Sequence, residues 1–444
     1  MTTTREWIPT RRSTVSWAVY DLANTIFALG VGSLYFPQWL TEHGDGLPDW
    51  LGRTGSVDLA LALALNAAML VVIVLGPWIG ARSDHVGSRR HYLFPLTLLA
   101  VVPTFFLATA GIAVSLLLFS IALVGFNLGS VVYDAMLPDV STPETIGRVS
   151  GVGIGVGYIG SFIAVGIGAV VLSTRVDPVA LLVGTELEHG EGEAAVFRVI
   201  AVLFLLFAVP TFLFVKERPR AAERGPLPPF SQSVRRLVQT WRRARTYDGM
   251  ARFLVGRFFY SDAINTLIGG FLTIYVIEEL AFTDGEVQLL LAVAIAGAVI
   301  GGIGGGRIVD RHGPRLLLHG TLHTWMVAIS LGIIAGVADI RPLAWPLGVL
   351  GGLALGATWA ADRVYMQVLS PPRYLGEFYG LYATVGRFAT ILGPLIWGLI
   401  VSVAGLPREV ALGVLILFLV VARVLLGGVD DRRRTWRPEE LAAG

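Results

Sequence analysis

Residues 21–25 read DLANT and residues 262–266 read DAINT, an Asp-x-x-Asn-Thr near the start of a long apolar run in both places. Two further pairs follow in the same order. GARSDHVGSR (80–89) and GRIVDRHGPR (306–315) share Gly-x-x-x-Asp-x-x-Gly-x-Arg. PETIGRVSG (143–151) and PRYLGEFYG (372–380) share Pro-x-x-x-Gly-x-x-x-Gly. The offsets are 241, 226 and 229 residues, and a longer loop after the first run than after its counterpart accounts for the first. Three motifs in one order at similar spacing define a duplicated unit.

The copied unit is a membrane unit. Of 444 residues, 54% are hydrophobic and only 15% charged, where a water-soluble chain has about a quarter charged. Apolar runs of about 20 residues, the length that crosses a hydrocarbon core, recur along the whole chain. Their limits in the first half are 15–40, 57–80, 92–112, 113–136, 150–172 and 196–215. In the second half they are 251–280, 287–308, 315–337, 344–369, 377–402 and 409–428. The reading is an all-α integral membrane protein of twelve transmembrane helices in two pseudo-symmetric six-helix bundles. Residues 1–215 form the first bundle, 216–250 a linker, and 251–444 the second bundle with a basic tail. The basic N-terminus resembles a signal peptide, but its apolar run is too long for one and reads as a retained helix. With no cysteine in the chain, disulfides, thiolate metal sites and cysteine nucleophiles are excluded.

Arginines set the orientation. They cluster at Arg5, Arg11 and Arg12, after the second and eighth runs, through the central linker, and in the tail DDRRRTWRP. The alternate loops are acidic: Glu42, Asp45 and Asp49, then TELEHGEGE, then Glu278, Glu279, Asp284 and Glu286. Both termini and the linker are therefore expected in the cytoplasm, as an even number of spans requires. In the linker, FSQSVRRLVQTWRRAR places Phe230, Val234, Leu237, Val238 and Trp241 on one helical face with arginines opposite. That pattern suits a helix lying on an anionic membrane surface, or a simple tether.

The Gly-x-x-x-Asp-x-x-Gly-x-Arg loops resemble the signature loop of the major facilitator superfamily. Four stretches resemble, within it, the vacuole effluxer family, named for autophagy-linked vacuolar amino-acid exporters. They are SWAVYDLANTIF, YDAMLPDVSTPETIGRVSG, GRFFYSDAINTLI and EFYGLYATVGRFATILGPLIWG, which together span both halves. The resemblance implies two bundles around a central cavity, rocking between inward-open and outward-open states. His85, Ser88 and Pro314 depart from the basic residues of the superfamily loop, and Asp362 beside Arg363 is a further departure.

An ionised Asp at the bilayer centre costs about 2.5–3.5 kcal/mol even on lenient scales, so it needs a cavity or a partner. Asp21 with Asn24, and Asp262 with Asn265, each share one helix face. They are expected to bind substrate or coupling ion, the alternative being a structural pair that pins the first spans. Arg387, about ten residues into the eleventh run, is expected either to bind a substrate carboxylate or to neutralise Asp21, Asp262 or Asp362. Asp362 and Arg363 are adjacent and need separate partners; Asp362 joins the candidate site. Asp134 and Arg257, nearer the helix ends, read as structural.

The signature loops offer Gly80 and Gly306 for close helix approach. Asp84, Arg89, Asp310, Arg311 and Arg315 supply charges for a gate. GVGYIG (155–160) fits a dinucleotide-binding pattern but lies inside an apolar run, where small residues serve helix packing. His319 and His323 have metal-ligand spacing and no third ligand, so no metal or other cofactor is expected. No nucleotide-binding loop or hydrolase motif is present, so the chain reads as no enzyme, and its transport as driven by a gradient.

The expectation is a secondary active transporter, a monomer in the plasma or inner membrane, with a small-molecule substrate, the lipid bilayer and a proton as partners and no nucleic acid. The substrate expected from the resemblance is an amino acid or related metabolite moved outward. A uniporter of the same fold, and a non-transporting sensor acting through the basic linker, remain open.

Overall fold

The computed structural model describes residues 9–44, 56–86, 88–142, 146–174, 176–179, 192–217, 230–371 and 375–431. Most of the first and second acidic loops, the start of the linker, most of the basic tail and the Pro of each Pro-x-x-x-Gly motif lie outside them. So do the side chains of Gly80 and Asp84, although both positions fall on a helix.

Among the described residues, eleven helices are long and apolar enough to cross a membrane, running from Arg11–Glu42 to Arg408–Gly427. The expected third span is the 16-residue helix Arg90–Phe105, which contains Pro95 and Pro103; twelve spans are consistent with this count. Outward-facing side chains such as Leu70, Leu117, Val170, Leu206, Ile300, Val327 and Val424 are exposed and apolar. A surface of this kind is explained by lipid, because soluble monomers rarely expose contiguous apolar patches so large. The amphipathic linker segment is helical over Phe230–Ala244.

The chain divides into two compact units, Met1–Leu47 with Ala67–Phe230, and Pro48–Asn66 with Ser231–Gly444. The helix Ser56–Val86, the second span, contributes to both: its N-terminal end packs with the second unit.

Aromatic stacking fills the first unit. Trp17 stacks on Tyr133 at 4.7 Å between ring centroids, and Tyr20 on the same ring at 4.9 Å. The buried Tyr20 hydroxyl is satisfied by Thr97 at 2.7 Å. In the second unit the eighth span, Asp284–His312, and the tenth, Arg341–Leu369, pack backbone to backbone. Gly301 and Gly356 make this possible, because a Cβ at either would collide with the facing main chain.

Both Asp-x-x-Asn-Thr motifs precede a distortion of their own helix. The first span turns π-helical over Ala28–Tyr35. The seventh does so over Leu267–Phe271, with Gly270 at φ 109°. Segments of this type concentrate at functional sites. The eleventh span is interrupted: one helix ends at Phe388 and the next begins at Leu392.

Candidate functional site

The two motifs start alike. Thr25 Oγ1 donates to the Asp21 carbonyl at 2.9 Å, and Thr266 Oγ1 to the Asp262 carbonyl at 2.7 Å. Each aspartate then faces a glycine of the fifth span of its own unit. A Cβ on Gly157 would stand 2.9 Å from Thr25 Oγ1 and 3.1 Å from Asp21 Oδ2. A Cβ on Gly393 would stand 3.1 Å from Asp262 Oδ1 and collide with Thr266 Oγ1. At Gly393, glycine lets the Asp262 carboxylate reach the neighbouring backbone.

From there the copies diverge. In the first unit the facing helix, Ile146–Thr174, runs unbroken, and Asn24 is buried. In the second unit the facing helix is the interrupted eleventh span. Gly393 N–H donates to Asp262 Oδ2 at 2.8 Å, and Asn265 Nδ2 donates to the Ala389 carbonyl at 3.1 Å. In an unbroken helix these two backbone groups would bond to each other, since residue 393 donates to residue 389. Asp262 and Asn265 thus take the two halves of one helical hydrogen bond and satisfy both. Asp262 itself is fully buried, and its Oδ1 has no hydrogen-bond partner among the described residues.

Asp362, also fully buried, is in a different situation. Arg257 Nε donates to both of its oxygens, at 3.2 and 3.1 Å. Tyr382 hydroxyl donates to Oδ2 at 2.5 Å and Tyr260 hydroxyl to Oδ1. The Arg257 guanidinium lies 3.6 Å above the Tyr382 ring centroid and donates to the Tyr382 carbonyl at 3.0 Å. The charge is compensated and every oxygen of the carboxylate is used. Arg363 next door is exposed. Arg387 is half-buried, and its carbonyl accepts from Thr390 at 2.7 Å just before the interruption.

The loop residues are placed as follows. Arg89 is buried, donates to the Ala135 carbonyl and lies 3.6 Å from Asp139. Arg315 donates its amide to Asp431 at 3.0 Å and its guanidinium to the Gly427 carbonyl at 2.7 Å, tying the second loop to the end of the twelfth span. Asp310 and Arg311 are exposed at the end of their helix. Among the described residues, a Cβ on Gly306 would meet nothing within 4 Å.

One cluster escapes the sequence reading. Asp58, fully buried at the start of the second span, is held by Arg408, with Nη2 2.7 Å from Oδ2, and by Trp397 Nε1 at 2.6 Å. Arg408 also donates to Glu279 at 2.7 Å. The signal was available in SVDLALALAL, an aspartate in an apolar run, but it has no counterpart in the other half.

Solved structures of membrane transporters share this fold of long apolar helices. The fold matches a bacterial homologue of the human lysosomal transporter spinster at a TM-score of 0.67 and 14% identity, covering 96% of this chain and 97% of that one. It matches a D-xylose–proton symporter at 0.69 and 12% identity, covering 96% and 99%. The fold is that of major facilitator transporters. Residues 53–436 match the profile described as vacuole effluxer Atg22 like, and the chain belongs to that family. Among its relatives is the uncharacterized MFS-type transporter YxiO of Bacillus subtilis (strain 168), 27% identical over 428 residues and 95% of both chains. Autophagy-related protein 22-1 of Penicillium rubens is 27% identical over 310 residues, 65% of this chain and 50% of that one.

Proposed function

We propose that the protein is a secondary active transporter that exports an amino acid or related metabolite by alternating access, driven by protons bound at Asp21 or Asp262. The Gly-x-x-x-Asp loops serve as its gate, and both termini lie in the cytoplasm. The observation that carries the reading is Asp262, a buried carboxyl with no cation on it and one oxygen without a partner. Such a group in a membrane helix is a functional site by default, since its charge is costly to retain there. Asp362, by contrast, behaves as a fixed ion pair. The outward direction rests on the family's description as a vacuole effluxer.

The test is flux of labelled amino acids in proteoliposomes under an imposed pH gradient. Asp21→Asn or Asp262→Asn abolishes gradient-driven flux while leaving counterflow exchange intact. Gradient-driven flux unchanged in both variants would overturn proton coupling. Flux insensitive to any pH or sodium gradient identifies a uniporter, and no flux of any solute identifies a sensor.

A further inference from the structure

The hydrogen bond from Gly393 to Ala389 is missing just before Pro394, a residue that kinks a helix, and two side chains of the seventh span occupy its ends. This arrangement has an obvious second state. If Asp262 and Asn265 withdraw, Gly393 N–H and the Ala389 carbonyl are free to bond to each other, and the eleventh span keeps only the kink that Pro394 imposes. We propose that Asp262 is the proton-binding site of this transporter and that its protonation closes the interruption at residues 389–391. The proposal rests on the proton-driven reading above and selects one of its two aspartates.

The hydrogen bonds balance between the states. The broken state has Gly393 N–H donating to the Asp262 carboxylate and Asn265 donating to the Ala389 carbonyl. In the closed state the backbone pair re-forms, and the protonated Asp262 hydroxyl donates to Asn265 Oδ1, three residues along the same helix face. Two hydrogen bonds are exchanged for two, and the proton is taken from water. What decides between them is the charge: a bond from an amide to a carboxylate is roughly twice as strong as one to a neutral acid, so deprotonation favours the break.

The surroundings fit a proton better than a metal cation. A hard metal cation such as calcium takes about six or more oxygens, whereas Asp262 Oδ2 is occupied by an N–H donor and, among the described residues, no group of three acidic or histidine side chains could hold a metal ion. The titratable groups on the packed elements are otherwise committed. On its own helix, Arg257 and Tyr260 serve Asp362 of the tenth span, as does Tyr382 of the eleventh. Arg387 makes no bond to Asp262, the helix Leu392–Gly398 has no titratable side chain, and Arg408, Glu409 and Arg423 of the twelfth span make none to it either. The protonation of Asp262 therefore changes the charge of this site and no other.

The absence of cysteine makes a spin-label test direct. Cysteines replacing Gly380 and Leu399, both exposed, flank the interruption; their Cα atoms would be about 28 Å apart in a continuous helix and closer in a bent one. Pulsed dipolar spectroscopy on the full chain in nanodiscs is expected to give two distance populations. Their ratio should change about tenfold per pH unit through the transition, as binding of one proton requires, with the longer distance favoured by acid. Asp262→Asn should hold the longer distance at every pH, while Asn265→Ala, which removes one hydrogen bond from each state, should keep the pH dependence. A single distance unaffected by pH and by both variants overturns the proposal. A pH-dependent distance in a protein without flux leaves the switch standing and removes the transport reading; pH-driven flux with an unchanging distance does the reverse.

Discussion

Asp58 and Arg408 lie 350 residues apart and are joined by three side-chain hydrogen bonds, from Nε to both carboxylate oxygens and from Nη2 to Oδ2. The pair fastens the N-terminal end of the second span to the start of the twelfth, beside Gly398, where a Cβ would touch Leu59 and Ala62 at 3.1 Å. Breaking a buried pair from one side leaves an uncompensated charge, which costs about 3–5 kcal/mol. Arg408→Gln should therefore lower the thermal unfolding temperature sharply. The double variant Asp58→Asn with Arg408→Gln should recover most of it. A double variant as unstable as the single one would show that packing, not charge, holds this end.

Asp362→Asn strands the Arg257 guanidinium in the same way and should cost about 3–5 kcal/mol. Tyr382→Phe keeps the ring beneath Arg257 and removes only one hydroxyl, so about 1–2 kcal/mol is expected. The order of the two losses in thermal unfolding is the check. If Asp362→Asn is stable but loses flux, the cluster belongs to the substrate path.

Gly157→Ala pushes a methyl group against Asp21 and Thr25 and should destabilise by about 1–3 kcal/mol, the usual cost of overpacking. Gly166→Ala on the same helix meets nothing within 4 Å and should be neutral or slightly stabilising. Equal behaviour of the two variants in thermal unfolding would mean that the close approach at Asp21 relaxes freely.

Asp431→Ala removes the carboxylate that accepts the Arg315 amide at the first turn of the ninth span. The loss should resemble that of a helix N-cap, about 1 kcal/mol, and amide exchange at Arg315 should rise. Unchanged exchange would assign the cap to water instead.

Much of the candidate site was legible because a charge in an apolar run announces itself. Asp21, Asp262 and their asparagines were found that way, and the repeat singled them out. Asp58 carried the same signal without a counterpart and was passed over. Its partner Arg408 stands at the end of an apolar run, where an arginine reads as an ordinary flank. Asp362 bonds to Arg257 rather than Arg387, a choice made by which helices pack together and at what depth. Neither is encoded in local spacing.

The sequence by itself determined the membrane spans and the duplication, because the free energy of placing a residue in lipid is local and nearly additive along the chain. The same motif, DLANT or DAINT, was present in both halves from the start. Only the tertiary structure decided that one copy faces an unbroken helix and the other holds a helix open. That outcome depends on whether a side chain comes within hydrogen-bond reach of a neighbour's backbone, and at Gly393 the absence of a single Cβ permits it.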